Sequence, residues 1–299
     1  MKGLHYSLYI ILLVATFSMH GCEDPIDVEL EEADTLVTVD GWINGNAEDQ
    51  TIRLTESQQY FDNNFTQGIT TASVKVVRGD GQEFAFTGDG NGNYVWTTDG
   101  NPIGQVGDQF KLEINVNGDL LTSETALNRV PEVDSIYQEF VTDMGFIDGI
   151  MIEILTRDLV GVGDTYWIKT FKNGVFLNRA DEINIAYDAG FDSGAQTDGF
   201  VFIPPIRFLL NPFEDEDPTD DIDIPSYVSG DQVRVEIHSI SNDAFTFLET
   251  MRDQLLNSDN GIFAEPLANT RGNITASSGK TVLGVFNVAA ISAEERIID

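Results

Sequence analysis

The chain has one cysteine, Cys22, and only three histidines in 299 residues. A lone cysteine has no disulfide partner within the chain, and so few thiols and imidazoles leave no set for a Cys/His zinc site. His5 and His20 lie near the N-terminus, so His238 is the only histidine available to the body of the protein. A Ser-His-Asp triad would have to use it, yet it falls on the polar side of an alternating run, residues 233–240, as a surface strand histidine does. Basic residues are also scarce: 16 Lys and Arg stand against 50 Asp and Glu, a formal net charge of −34. Nucleic acid binding needs a basic footprint, so no nucleic acid partner is expected. The same charge disfavours close contact with anionic lipid headgroups and leaves divalent cations as a ligand class to test. There is no phosphate-binding loop of the P-loop type and no dinucleotide fingerprint.

Long apolar runs are missing too. Residues 8–17 are unbroken apolar sequence apart from Thr16, but a helix needs about 20 such residues to cross a bilayer. Preceded by Lys2 and His5, the run has the length of a secretory signal peptide, expected over residues 1–21. Ser18-Met19-His20-Gly21-Cys22 follows at the cleavage position and resembles a bacterial lipobox, which makes Cys22 the lipidation site and the new N-terminus. Met19 stands where that motif prefers Leu, and His20 is bulky for its position. Glu23, Asp24, Asp27, Glu29, Glu31, Glu32 and Asp34 come next without a Lys or Arg among them. A like-charged stretch interrupted by Pro25 stays extended and solvated, so residues 22–34 read as a tether. It also resembles the acidic signal that sends lipoproteins of the Bacteroidetes type to the outer cell surface.

From residue 36 onward the pattern is short alternating runs broken by Gly, Asn and Asp. Runs at 36–43, 51–55, 72–77, 83–86, 94–96, 110–116 and 120–125 are strands, with Asp80-Gly81 and Asn117-Gly118 as hairpin turns. Val74, Val76, Leu112, Ile114 and Val116 alternate inward as core. The expected fold is mainly β: an N-terminal antiparallel, Ig- or transthyretin-like β-sandwich over 35–130, and a second β-rich domain over 131–299. The second part is expected to hold a long insertion at 178–230 and one amphipathic helix at 242–257, capped by Ser241 or Asn242. Insertions of this length are usually functional or disordered. Phe200, Phe202, Ile206, Phe208 and Phe213 make its middle a candidate docking loop. Asp215, Asp217, Asp220 and Asp221 at its end are candidate calcium ligands, though without calcium-loop spacing. The Asp89–Asn93 loop fails an EF-hand test, since Tyr94 and Gly100 stand where Gly and Glu are needed. The 58–67 loop, with Tyr60, Phe61 and Phe65, is a weaker candidate binding tip.

Several stretches in order carry a family resemblance: the acidic lipoprotein start, "VTVDGWI" from Val37, "VPEVDSI" from Val130, and the ending "ANTRGNI…VLGVFNVAAIS". Together they resemble a Bacteroidetes outer-membrane lipoprotein family of unknown function whose genes often sit beside TonB-dependent, SusC-like receptors. The resemblance implies a surface-exposed, lipid-anchored binding or accessory protein with a TonB-dependent receptor as partner. It brings no catalytic residues, so no enzymatic activity and no cofactor are expected beyond the calcium candidate. An adhesion or matrix-binding lipoprotein is the alternative. So is a surface glycoside hydrolase, because hydrolysis needs only two well-placed carboxylates.

Overall fold

Alternating apolar and polar side chains build the first seven strands: β1 (Val37–Asn44), β2 (Gln50–Glu56), β3 (Ser73–Arg78), β4 (Glu83–Gly88), β5 (Asn93–Trp96), β6 (Gln109–Val116) and β7 (Asp119–Ala126). The computed structural model describes residues 35–58, 65–141, 149–208, 210, 227–257 and 268–299. The β6–β7 turn places Asn117 at φ 53° and Gly118 at φ 81°. Two successive positive φ values give the backbone the twist that adjacent antiparallel strands need. Val39, Ile52, Leu54, Val76, Leu112 and Ile114 are fully buried in one apolar core.

Two late strands, β14 (Thr275–Ala276) and β15 (Leu283–Ala289), complete this sheet in the order β14-β7-β6-β3-β4-β5-β2-β1-β15. The nine strands curl around the shared core in a sandwich-like arrangement. The sheet is not purely antiparallel, because β1 and β15 run parallel with Val39 opposite Gly284. A parallel partner needs a long crossover, here most of the chain, and alternation within one strand cannot reveal it. Gly284 has φ +92°, and a Cβ there would lie 1.9 Å from the Val39 carbonyl oxygen. Only glycine fits that close approach.

The second sheet takes β10 (Thr165–Lys172), β11 (Val175–Leu177), β12 (Asn184–Tyr187), β13 (Gln232–Ile240) and β16 (Ile291–Ile297). Its order is β11-β10-β13-β16, with β12 also pairing β10. β8 (Ser135–Val141) and β9 (Gly149–Leu155) form a separate hairpin. One face of the second sheet covers a core of Ile152, Ile154, Tyr166, Val235, Ile237 and Phe202. The other face meets the first sheet and a helix through Ile185, Ile240, Val285, Trp42 and Trp167. Two helices are present among the described residues, α1 (Pro204–Phe208) and α2 (Asn242–Asn257). Ser241 caps α2, its Oγ accepting the Ala244 N–H at 3.2 Å, and Ala244, Phe245 and Leu248 form the buried stripe. No helix among the described residues is long and apolar enough to cross a membrane.

Residues Thr35–Asp299 form a single compact unit, and strands from beyond residue 274 close the first sheet. A division at residue 130 therefore does not separate the two sheets along the chain. The 178–230 stretch is also more regular than its sequence suggests. It holds a 3-10 turn (Ala180–Glu182), β12 and α1, while residues 209 and 211–226 lie outside the described set.

At its last crossing, from β15 to β16, the chain passes from the first sheet to the second through Ala290 alone. At this crossing Ala290 N–H donates to Ser239 Oγ and Ser239 N–H donates to the Ala290 carbonyl, both at 2.9 Å. Fully buried Asn287 accepts the Ser241 N–H at 2.9 Å and donates to the Ser239 carbonyl at 3.2 Å. Asn287→Ala leaves both backbone groups buried without partners, so stability should fall by about 2–3 kcal/mol. Urea unfolding of the variant against the wild type measures it.

Candidate binding site

A groove lies on the first sheet. The β3–β4 hairpin and the 97–108 loop enclose a cavity of about 400 Å³ lined by Arg78, Gln82, Phe84, Trp96, Asp99 and Asn101. A second cavity of about 300 Å³ adjoins it, sharing Arg78 and Pro102. Ile103 is fully buried and plugs the loop into the core. Arg78 then holds the loop: Nη1 donates to the Ile103 carbonyl at 3.2 Å while Nε and Nη2 grip Asp80 at 3.1 and 2.7 Å. That guanidinium holds the Asp80 carboxyl down at about 2. Asp99 accepts both the Asn101 backbone N–H and its side-chain amide, and these bonds pull its carboxyl below the usual carboxylate range. Gly104 lets the loop lie flat, since a Cβ there would meet the Phe110 ring at 2.4 Å. Trp96 packs edge-on against buried Phe84, with ring centres 5.3 Å apart.

A second cluster occupies the seam between the sheets. Trp42 of β1 and Trp167 of β10 lie 4.9 Å apart. The Lys169 ammonium sits 4.0 Å above the Trp167 ring and 5.6 Å from Phe176. It has no carboxylate within ion-pair distance among the described residues. Burial pushes its amine down to about 8, against the pull of Glu236 and Asp40. His238 is buried at 9% exposure, not on the surface, because the polar side of β13 faces this seam. Burial lowers its ring below the ordinary imidazole value. The hydrogen bond from His238 holds the Glu236 carboxyl at about 2. Ionised Glu236 can only accept, so the neutral ring donates through Nε2 at 2.8 Å.

A third cluster gathers Asp158, Asp164 and Asp188, whose ligand oxygens all lie within 4.8 Å of one another. Three carboxylates at that spacing have the donor set for a hard cation. The Arg129 guanidinium already supplies positive charge there, pairing with Asp164 and donating to the Val160 and Gly161 carbonyls at 2.9 and 2.8 Å. Burial raises the Asp158 carboxyl, which accepts from the Tyr166 hydroxyl at 2.7 Å. The carboxylates fix the 158–164 loop, and Val160 and Val162 project from it with about 80% exposure.

The residues singled out in the sequence scatter. Phe202 and Ile206 are 1% and 0% exposed, inside the second core, so the apolar stretch is largely interior sequence. Phe200 and Phe208 remain at the surface, at 58% and 36%. Cys22, Tyr60, Phe61, Phe213, Asp215, Asp217, Asp220 and Asp221 lie outside the described residues. Sequence reading missed all three clusters, since each joins side chains far apart in the chain. Trp42, Trp96 and Trp167, the only tryptophans present, were the available signal, one at the groove and two in the seam.

A family model described as a domain of unknown function (DUF4249) matches residues 23–295, and the chain belongs to that family. No curated protein matches the sequence.

Two outcomes follow from the charged clusters. Between pH 8 and 10.5 the unfolded chain keeps the Lys169 proton that the folded chain has released, so stability from this group rises with pH across that window. The melting temperature of the wild type should therefore gain on that of Lys169→Met as pH rises from 8 to 10.5. Arg129→Ala removes the cation from three crowded carboxylates and should destabilise the chain by about 1–2 kcal/mol at pH 7. The loss should shrink at pH 5, where Asp158, raised by burial, takes up a proton more readily. Thermal melts of both variants at each pH provide the check.

Proposed function

We propose that this member of the DUF4249 family is an outer-membrane lipoprotein, held through Cys22 and facing the cell exterior. It serves as a binding or accessory component of a TonB-dependent nutrient uptake system. The observation that carries the reading is the placement of the sole cysteine. It follows a ten-residue apolar run after a four-residue spacer and opens a run of carboxylates, where a lipid anchor and a solvated tether meet. Each buried methylene of an acyl chain contributes about 0.8 kcal/mol, and stable anchoring takes more than one chain. The large negative charge suits a body kept off an anionic surface by repulsion. The partner class comes from the family resemblance, in which a SusC-like receptor gene is the usual neighbour. The preformed groove at Arg78 and Trp96 gives such a component a place to hold cargo.

Mass spectrometry of the protein from native outer membranes should find a mature chain that starts at an acylated Cys22. Cys22→Ala should leave the membrane fraction. A TonB-dependent transporter should co-purify with the wild type from solubilised membranes. Retention of residues 1–21 with a free thiol would overturn the anchor. A lipidated protein that purifies without a transporter would overturn the partner.

A further inference from the structure

We propose that the groove between the β3–β4 hairpin and the 97–108 loop is a binding site for a neutral saccharide. The inference rests on the binding role proposed above and names its cargo class. Cavities of about 400 and 300 Å³, with Arg78 and Pro102 in the walls of both, fall in the range of small-molecule sites. Their size suits a short saccharide.

The one cation lining the groove is already engaged within the chain. Arg78 is spent on Asp80 and on the Ile103 carbonyl. Glu83 pairs with Lys75 at 2.7 Å. Asp99 accepts from Asn101, and Asp108 accepts the Gln105 N–H at 2.9 Å. Among the described residues lining the groove no other cation is present to bind an anionic ligand, and Asp99 and Asp108, which form no ion pair, repel one. Beside those carboxylates, the uncommitted donors are neutral. Among the described residues, the side-chain amides of Gln82 and Gln105 and the Thr97 hydroxyl make no hydrogen bond within the chain. The Asn101 side-chain carbonyl and the second lone pairs of the carboxylates add acceptors. Mixed donors and acceptors beside one indole fit a ligand with hydroxyls around its rim and a C–H face to lay on Trp96. A purely apolar ligand would strip water from these groups without replacing its hydrogen bonds.

The site is also stiff before anything binds. The Ile103 plug, the Arg78 clamp and the Thr98 N–H bond to Asp49 at 2.9 Å hold the loop in place. Little ordering is then needed on binding, which suits a weakly driven, hydroxyl-rich ligand.

The test titrates the full chain, detergent-solubilised, with three probe sets in a calorimeter. These are neutral oligosaccharides of cello-, malto-, xylo- and manno- type, an anionic oligogalacturonate, and a Lys/Arg-rich peptide. At least one neutral series should bind, with tryptophan fluorescence changing on titration. Trp96→Ala should weaken that binding at least tenfold, and Asn101→Ala at least threefold. Trp96 packs against Phe84, so the exposed-loop variant Asn101→Ala keeps the test decisive if Trp96→Ala does not fold. Binding of no neutral series, binding only of the anionic or basic probe, or saccharide binding unmoved by Asn101→Ala overturns the proposal. None of these outcomes touches the acylation or transporter measurements, so the cargo inference and the lipoprotein reading can fail separately.

Discussion

The crossing at Ala290 governs how the rest of the molecule is arranged. β15 and β16, in different sheets, are separated by a single residue, so backbone groups on both sides arrive in a dry place at once and must find partners there. Asn287 and Ser239 meet that demand with one side chain each, reaching into the opposite sheet. Ser239 Oγ further donates to the Asn128 carbonyl at 2.8 Å, tying in the segment that leaves β7. Three chain segments are thus fixed at one point, and the N-terminus of α2 is fixed beside them by Ser241. The Trp42–Trp167 contact and the depressed amine of Lys169 follow from this placement. They exist because the outer side of β1 is held against the outer side of β10.

A chain this acidic has few cations to place, and the described ones are mostly used inside the fold. Arg129 fastens the 158–164 loop, Arg78 fastens the 97–108 loop, and Lys172 pairs with Asp231 at 3.2 Å with both side chains nearly buried. Pairs like the last add little net stability over apolar packing, but removing one partner is costly. Their effect is to fix loop geometry. Lys169 departs from the pattern, using aromatic faces where the others use carboxylates. The consequence is a surface whose remaining charge is almost all negative, interrupted by rigid loops that carry either a polar groove or exposed valines.

Much of the fold was legible because strand alternation and turn chemistry are local. Val74 and Val76 alternate inward as their sequence says, and Asn117-Gly118 turns where two such residues should. The α2 boundaries were equally readable from Ser241 and the spacing of Phe245 and Leu248. Partners were not readable. Nothing in residues 283–289 says that their neighbour is β1, nor that β16 follows one residue later in another sheet. Apolarity alone misled at Phe202 and Ile206, because a run without periodicity reads the same whether it docks a partner or fills a core. The groove was invisible for the same reason: Arg78 and Asn101 are 23 positions apart, and it takes the fold, with the Arg78 bond to the Ile103 carbonyl, to bring their segments together.

The groove's electrostatics also bear on what it would do with a bound sugar. Glycoside hydrolysis needs one carboxylic acid that still holds its proton near neutral pH, which takes burial or a crowding carboxylate to raise it. Asp80 and Asp99 move the other way. Each is solvated and accepts hydrogen bonds that favour the ionised form, Asp80 chiefly from Arg78 and Asp99 chiefly from Asn101. A carboxylate locked in that state accepts hydroxyl hydrogen bonds well and donates a proton poorly. The same bonds that stiffen the 97–108 loop therefore suit Asp80 and Asp99 to holding a saccharide's hydroxyls rather than to supplying it with a proton. An accessory protein of an uptake system would need a site that returns its ligand unchanged.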